Sequence, residues 1–212
     1  MTSMYTSHRP TPDISRIPLS DEKVKKLFHK RLNPVKDFGT LRTLHLPDDL
    51  ASYARQVDRF DYPADINSVW LHYTQRKPHE IWSGSLTPYL FTHSKKNRCF
   101  YYPDDPEAPE IHAGMQFFCL INIVFPLGLV GMEILEINAE KYTIEFAYIE
   151  GGLYRGTQRL EFVEQVNGGT RIIHTSYYRP ENLLVWLIPY KFFHKKTINE
   201  FHQGMKNKFS NR

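Results

Sequence analysis

Residues 142–162 constrain the fold more than any other stretch of the chain. Tyr142, Ile144, Phe146 and Tyr148 alternate with Thr143, Glu145, Ala147 and Ile149. After Gly151-Gly152, Tyr154, Gly156, Gln158, Leu160 and Phe162 alternate with Arg155, Thr157, Arg159 and Glu161. A period of two sustained this long belongs to a strand with one face on a core and the other in water. The paired glycines supply the positive φ that a tight turn requires. The two runs therefore predict an antiparallel hairpin. Thr170–Tyr178, after the turn Asn167-Gly168-Gly169, extends it. Upstream, Tyr53–Phe60, Lys96–Tyr102, Gly114–Ile121 and Val130–Ile137 read as further strands. The expectation is an antiparallel sheet of about seven strands, one face covered and one wet.

The cover is found at the C-terminus. From Tyr190 onward, His194, Ile198, Phe201, Met205 and Phe209 recur every three or four residues, with Lys191, Lys195, Glu200 and Lys206 around them. That spacing predicts one long amphipathic helix. Pro189 interrupts the apolar run that precedes it. Asp65 can cap a helix that carries Ile66, Val69, Trp70 and Tyr73 on one face, and Pro78–Trp82 reads as a second short helix. Near the N-terminus, Ser20 can cap a helix over about 20–32 with Val24, Leu27, Phe28 and Leu32 on one stripe, ended by Asn33-Pro34. Pro10, Pro12 and Pro18 mark the first residues as a loosely ordered arm.

Charge and cysteine usage bound the function. The net charge is +4, but residues 191–212 carry six Lys/Arg against Glu200 alone. An acidic body with basic ends does not suit nucleic acid, and instead offers the C-terminus for peripheral contact with an anionic membrane. No run of about 18 apolar residues is present, so no spanning helix is expected, and no secretory leader is predicted. Cys99 and Cys119 lack any zinc-type spacing and read as buried thiols in a reducing, cytoplasmic setting.

The order strand, two short helices, further antiparallel strands and one long helix resembles the helix-grip fold of the START-like (SRPBCC) superfamily. Phe60-Asp61-Tyr62-Pro63-Ala64-Asp65-Ile66-Asn67-Ser68-Val69-Trp70 is similar to the family's opening strand, proline turn and first helix. Gly168-Gly169-Thr170-Arg171-Ile172-Ile173 is similar to its last hairpin. The resemblance implies an α+β domain over residues 51–212 and sets residues 1–50 apart as an N-terminal extension. It also implies an apolar cavity between sheet and long helix, for a small hydrophobic or amphipathic ligand, lipid-like or polycyclic.

Strand parity then places Tyr148, Tyr154, Gln158 and His174 on the covered face as candidate ligand-binding residues. His174 reads first as a buried structural histidine, then as a ligand contact and, at an extreme, as an acid/base group. Arg155 and Arg159 fall on the wet face, in reach of Glu145 or Glu161 across strands. No Gly-x-Ser-x-Gly elbow, phosphate loop or His-x-x-x-His pair occurs, so neither a cofactor nor a metal is expected. Two alternatives to ligand binding stay open: a cyclase- or hydratase-type enzyme in the same cavity, and a partner- or membrane-surface interaction module.

Overall fold

The computed structural model describes residues 11–17, 22–32, 34–44, 50–122, 126–181 and 190–210. Eight strands are present: β1 (Ala54–Tyr62), β2 (Tyr89–Ser94), β3 (Cys99–Tyr101), β4 (Met115–Asn122), β5 (Pro126–Asn138), β6 (Thr143–Tyr148), β7 (Tyr154–Glu164) and β8 (Thr170–Pro180). They form one antiparallel sheet in the order β1-β8-β7-β6-β5-β4-β2-β3. The helices are α1 (Glu22–Leu32), α2 (Ile66–Thr74), α3 (Pro78–Ile81) and α4 (Tyr190–Ser210). Asp65 caps α2 by accepting from the Ser68 N–H at 2.9 Å. The Ser20 cap and the apolar run 183–188 lie outside the described residues, as do the side chains of Val24 and Leu27.

This is the α+β helix-grip architecture, with eight strands where the pattern predicts about seven. The additional strand is β2. All six of its residues are buried, so no polar face remains to reveal a period of two. A bulge at Tyr89/Phe91 breaks its parity as well, and Leu90 and Phe91 both face the outer layer. Strands β7 and β8, by contrast, alternate as expected, with Tyr154, Gln158, Leu160 and Phe162 buried beside the less buried Arg155, Arg159 and Glu161.

The sheet buries both faces at the β2–β4–β5 end. On the inner side, Met205, Phe201 and Phe209 of α4 pack with Tyr62, Val69, Trp70, Tyr73, Ile144 and Phe162. On the outer side, Ile17, Phe28, Leu32 and Phe38 from the N-terminal segment pack on Leu90, Phe91, Phe118, Leu120, Leu129 and Ile149. Phe38 makes edge contacts with Phe91, Phe100 and Phe118 at centroid distances of 6.0, 5.1 and 5.5 Å. The expected wet face is therefore dry here, because the N-terminal segment covers it. Buried Glu133 on this side is neutralised by Lys95 at 2.6 Å and accepts from the Gln116 amide at 3.1 Å. The outer face stays wet at β6–β8, where Arg159 pairs with Glu145 at 3.1 Å and Arg155 with Glu181.

Residues 42–44 clasp the β6–β7 connection. Leu44 N–H donates to the Tyr148 carbonyl at 2.7 Å, and Gly156 N–H donates to the Leu44 carbonyl at 3.1 Å. Gly156 has φ of 129°, and a Cβ there would meet the Tyr177 carbonyl oxygen at 2.0 Å. Only glycine fits this point in β7, two residues before Gln158.

Candidate functional site

Between the inner face of the sheet and α4 lies a cavity. Its atom-free space is about 1020 Å³ when the part open to solvent at the mouth is included. Met132 and Val130 of β5, Phe146 and Tyr148 of β6, and Tyr154 and Gln158 of β7 line the sheet side. Phe193, His194, Thr197, Ile198 and Phe201 of α4 line the other, and Trp82 stacks on Phe117 at 3.8 Å between centroids to close one end. The rim near Gly84 is tied to the helix. Glu200 of α4 accepts from Ser85 N–H at 2.8 Å and from Leu86 N–H at 2.9 Å.

All four residues singled out by parity border this cavity: Tyr148, Tyr154, Gln158 and His174. Three of them are joined by hydrogen bonds. The Gln158 Nε2–H donates to the Tyr148 hydroxyl oxygen at 2.9 Å, and Gln158 Oε1 lies 2.7 Å from His174 Nε2. Tyr154 stands beside Tyr148 at 6.2 Å between rings.

The chain of contacts continues away from the cavity. His174 Nδ1 lies 2.9 Å from His202 Nε2, and His202 Nδ1 lies 2.9 Å from the Tyr73 hydroxyl. That hydroxyl is 2.8 Å from the hydroxyl of Tyr62. The proton positions follow from one end. Gln158 Oε1 can only accept, so His174 donates from Nε2 and accepts at Nδ1 from His202 Nε2–H. His202 Nδ1 then accepts from Tyr73, and the Tyr62 hydroxyl faces both the Tyr73 oxygen at 2.8 Å and the His202 carbonyl at 3.3 Å. Every member is neutral in this pattern.

The surroundings enforce that neutrality. Burial pulls His174 down to about 3, with His194 nearby acting in the same direction. Burial likewise holds His194 at about 3, and His202 well below the ordinary histidine range. Burial also raises the Tyr154 hydroxyl well above its usual value and pushes the Cys119 thiol up to about 12. Cys119 lines the cavity as a protonated thiol, and a thiol in that state is a poor nucleophile. Cys99, expected to be buried, is only half-buried on β3.

The contribution of α4 is not visible in strand parity. Helical spacing assigns His194 to the apolar stripe as core, but it borders the cavity and lies 3.2 Å through Nδ1 from Gln56 Oε1. His202 sits next to Phe201, one step off that stripe. Its stacking on Phe60 at 3.9 Å and its contact with His174 join segments far apart in sequence. No group of three or more His, Cys, Asp or Glu side chains suited to a metal ion occurs among the described residues. Nor is any helix among them long and apolar enough to cross a membrane.

No protein-family model matches this chain, and no curated protein matches its sequence. Solved structures do match its shape. Norcoclaurine synthase from Thalictrum flavum, in complex with dopamine and hydroxybenzaldehyde, superposes with a TM-score of 0.52 at 10% identity, over 77% of this chain and 91% of that one. Major latex-like protein 151 from Panax ginseng gives 0.51 at 13% identity, over 74% and 97%. A protein from Thermus thermophilus gives 0.52 at 13% identity, over 74% and 98%. At such identities the likeness establishes the fold.

Proposed function

We propose that this chain, a member of the START-like superfamily by its fold, binds one small hydrophobic or amphipathic molecule in the cavity between sheet and α4. One observation carries the proposal: a largely apolar cavity with four polar side chains, Tyr148, Tyr154, Gln158 and His174, gathered on its sheet wall. Apolar walls with a small number of placed polar groups are the usual build of a small-molecule site. A bound molecule would exchange water for Phe146, Met132, Ile198 and Phe201, gaining about 25 cal/mol per Å² of apolar surface covered.

The protonation states favour binding over turnover. A general base at neutral pH needs a pKa near that pH. His174, at about 3, engages both ring nitrogens in hydrogen bonds and is a weak base. A cyclase- or hydratase-type reaction would have to draw its proton transfer from elsewhere. The free thiols Cys99 and Cys119 suit a reducing compartment such as the cytoplasm.

A titration with the uncharged dye Nile red tests the proposal. Wild-type protein should raise the dye's emission with 1:1 saturation. Val130→Trp, which fills the cavity from β5, should abolish the rise while circular dichroism stays native. Equal emission from both proteins would place the dye elsewhere and overturn the proposal.

Peripheral contact with an anionic membrane has its own support. Phe192, at the start of α4, is 55% exposed and offers an apolar ring to a surface that docks there. Lys195 and Lys196 are exposed on the same turns, and the Lys196 ammonium lies 4.4 Å from the Phe192 ring. The neighbouring Phe193 and His194 line the cavity, so a membrane at this surface would lie close to the residues that receive the ligand.

A further inference from the structure

We infer that the ligand is uncharged and carries one hydrogen-bonding group, a hydroxyl or carbonyl, that meets the Tyr148–Gln158 pair. This rests on the proposed binding function and narrows it to a substrate class. Among the described residues, no Asp, Glu, Lys or Arg lines the cavity. The titratable groups that face it are Cys119 from β4, Tyr148 from β6, Tyr154 from β7, His174 from β8 and His194 from α4. Each bears no charge near neutral pH where its ionisation is displaced: the thiol upward, Tyr154 upward, and both histidines downward. Glu200, packed against Gly84 at the rim, is not among the lining residues and is committed to Ser85 and Leu86.

A carboxylate or ammonium entering such a cavity would lose its hydration and find no counter-ion. Leaving a charge unpaired in an apolar environment is far costlier than leaving a neutral polar group there. Protonating His174 to receive a carboxylate is blocked as well, because both its nitrogens are engaged by Gln158 and His202, and burial disfavours the charged form of His194. Neutral groups meet no such obstacle. Hydroxyl oxygens on the tyrosines and the amide of Gln158 can match a hydroxyl or carbonyl, and Phe117, Phe146 and Phe201 cover its apolar body.

Displacement of Nile red by ligands of one chain length tests this. Decan-1-ol, decanamide, decanoate and decylammonium would be titrated at pH 7.5 into wild type and Thr197→Lys. Thr197 is half-buried at the cavity's helix wall, where a lysine stem can reach the rim with its ammonium in water. In wild type, the alcohol and amide should displace the dye at concentrations at least about tenfold lower than either charged ligand. In Thr197→Lys the gap between decanol and decanoate should shrink by about threefold or more. Equal potency of decanoate and decanol in wild type would overturn the inference while leaving cavity binding intact. A gap that the added lysine does not narrow would overturn its electrostatic basis. Failure of Nile red to bind wild type at all would remove the binding function and this inference with it.

Discussion

Three buried neutral histidines make stability depend steeply on pH. Burial holds His174 and His194 at about 3 and His202 well below its ordinary value. In the unfolded chain each returns to about 6.5. Below that value the unfolded state takes up protons that the folded state refuses. Stability is thus fully present above about pH 6.5 and is lost as the pH falls toward 3. Each histidine forfeits about 1.2 kcal/mol between pH 7 and 5.5, so the three together forfeit about 4 kcal/mol. His79 and His93, also lowered by burial, act in the same direction. Against a total of about 5–15 kcal/mol for an ordinary domain, this is a large fraction. Urea unfolding at a series of pH values, extrapolated to water, measures it directly. We expect the unfolding free energy to fall by about 4 kcal/mol from pH 7 to 5.5, and His194→Gln to remove about a third of that slope. Equal stability at the two pH values would mean that the histidines titrate freely when folded, and the description of the neutral chain would be wrong.

Further perturbations separate the parts of the structure. Gln158→Leu leaves the His174 Nε2–H and the Tyr148 hydroxyl oxygen without the partner each has now, so a loss of about 2 kcal/mol is expected. Differential scanning calorimetry should show a melting temperature lower by about 4–8 °C, and an unchanged or higher value would deny those bonds a role. Phe38→Ala removes a fully buried ring from the outer core and should cost about 3–5 kcal/mol in denaturant melts. A negligible cost there would mean that the N-terminal segment is not docked on the sheet. Sedimentation with phosphatidylserine-containing vesicles should carry down wild type several-fold better than Phe192→Ser or Lys195→Glu/Lys196→Glu. Equal sedimentation of all three proteins, or equal binding to neutral vesicles, would count against membrane contact at α4.

What the sequence discloses depends on which faces stay wet. Strands β7 and β8 keep arginines and threonines in water opposite Leu160, Phe162 and Ile172, so their alternation is readable, and it sets Gln158 and His174 facing inward. Strand β2 has no wet face and carries a bulge, and its period is erased. The stripe on α1 announces that the helix must dock, but an apolar stripe does not encode its landing place. Phe28 lands on Phe91, a residue of the strand that the pattern conceals. Within the site, parity places side chains on one face of a sheet but is silent on what crosses to meet them. His194 and Ile198 from α4, and the contact of His202 with His174, depend on how the helix lies across the sheet. Local periodicity does not carry that information.

Native mass spectrometry of freshly purified protein, followed by solvent extraction and identification of whatever is released, tests ligand binding most directly. We expect a 1:1 adduct that survives gentle ionisation and is absent from Val130→Trp, with a released molecule that is apolar, uncharged and bears a hydroxyl or carbonyl. An adduct retained in full by Val130→Trp would contradict occupation of this cavity, and a released carboxylate or amine would contradict its charge-free chemistry.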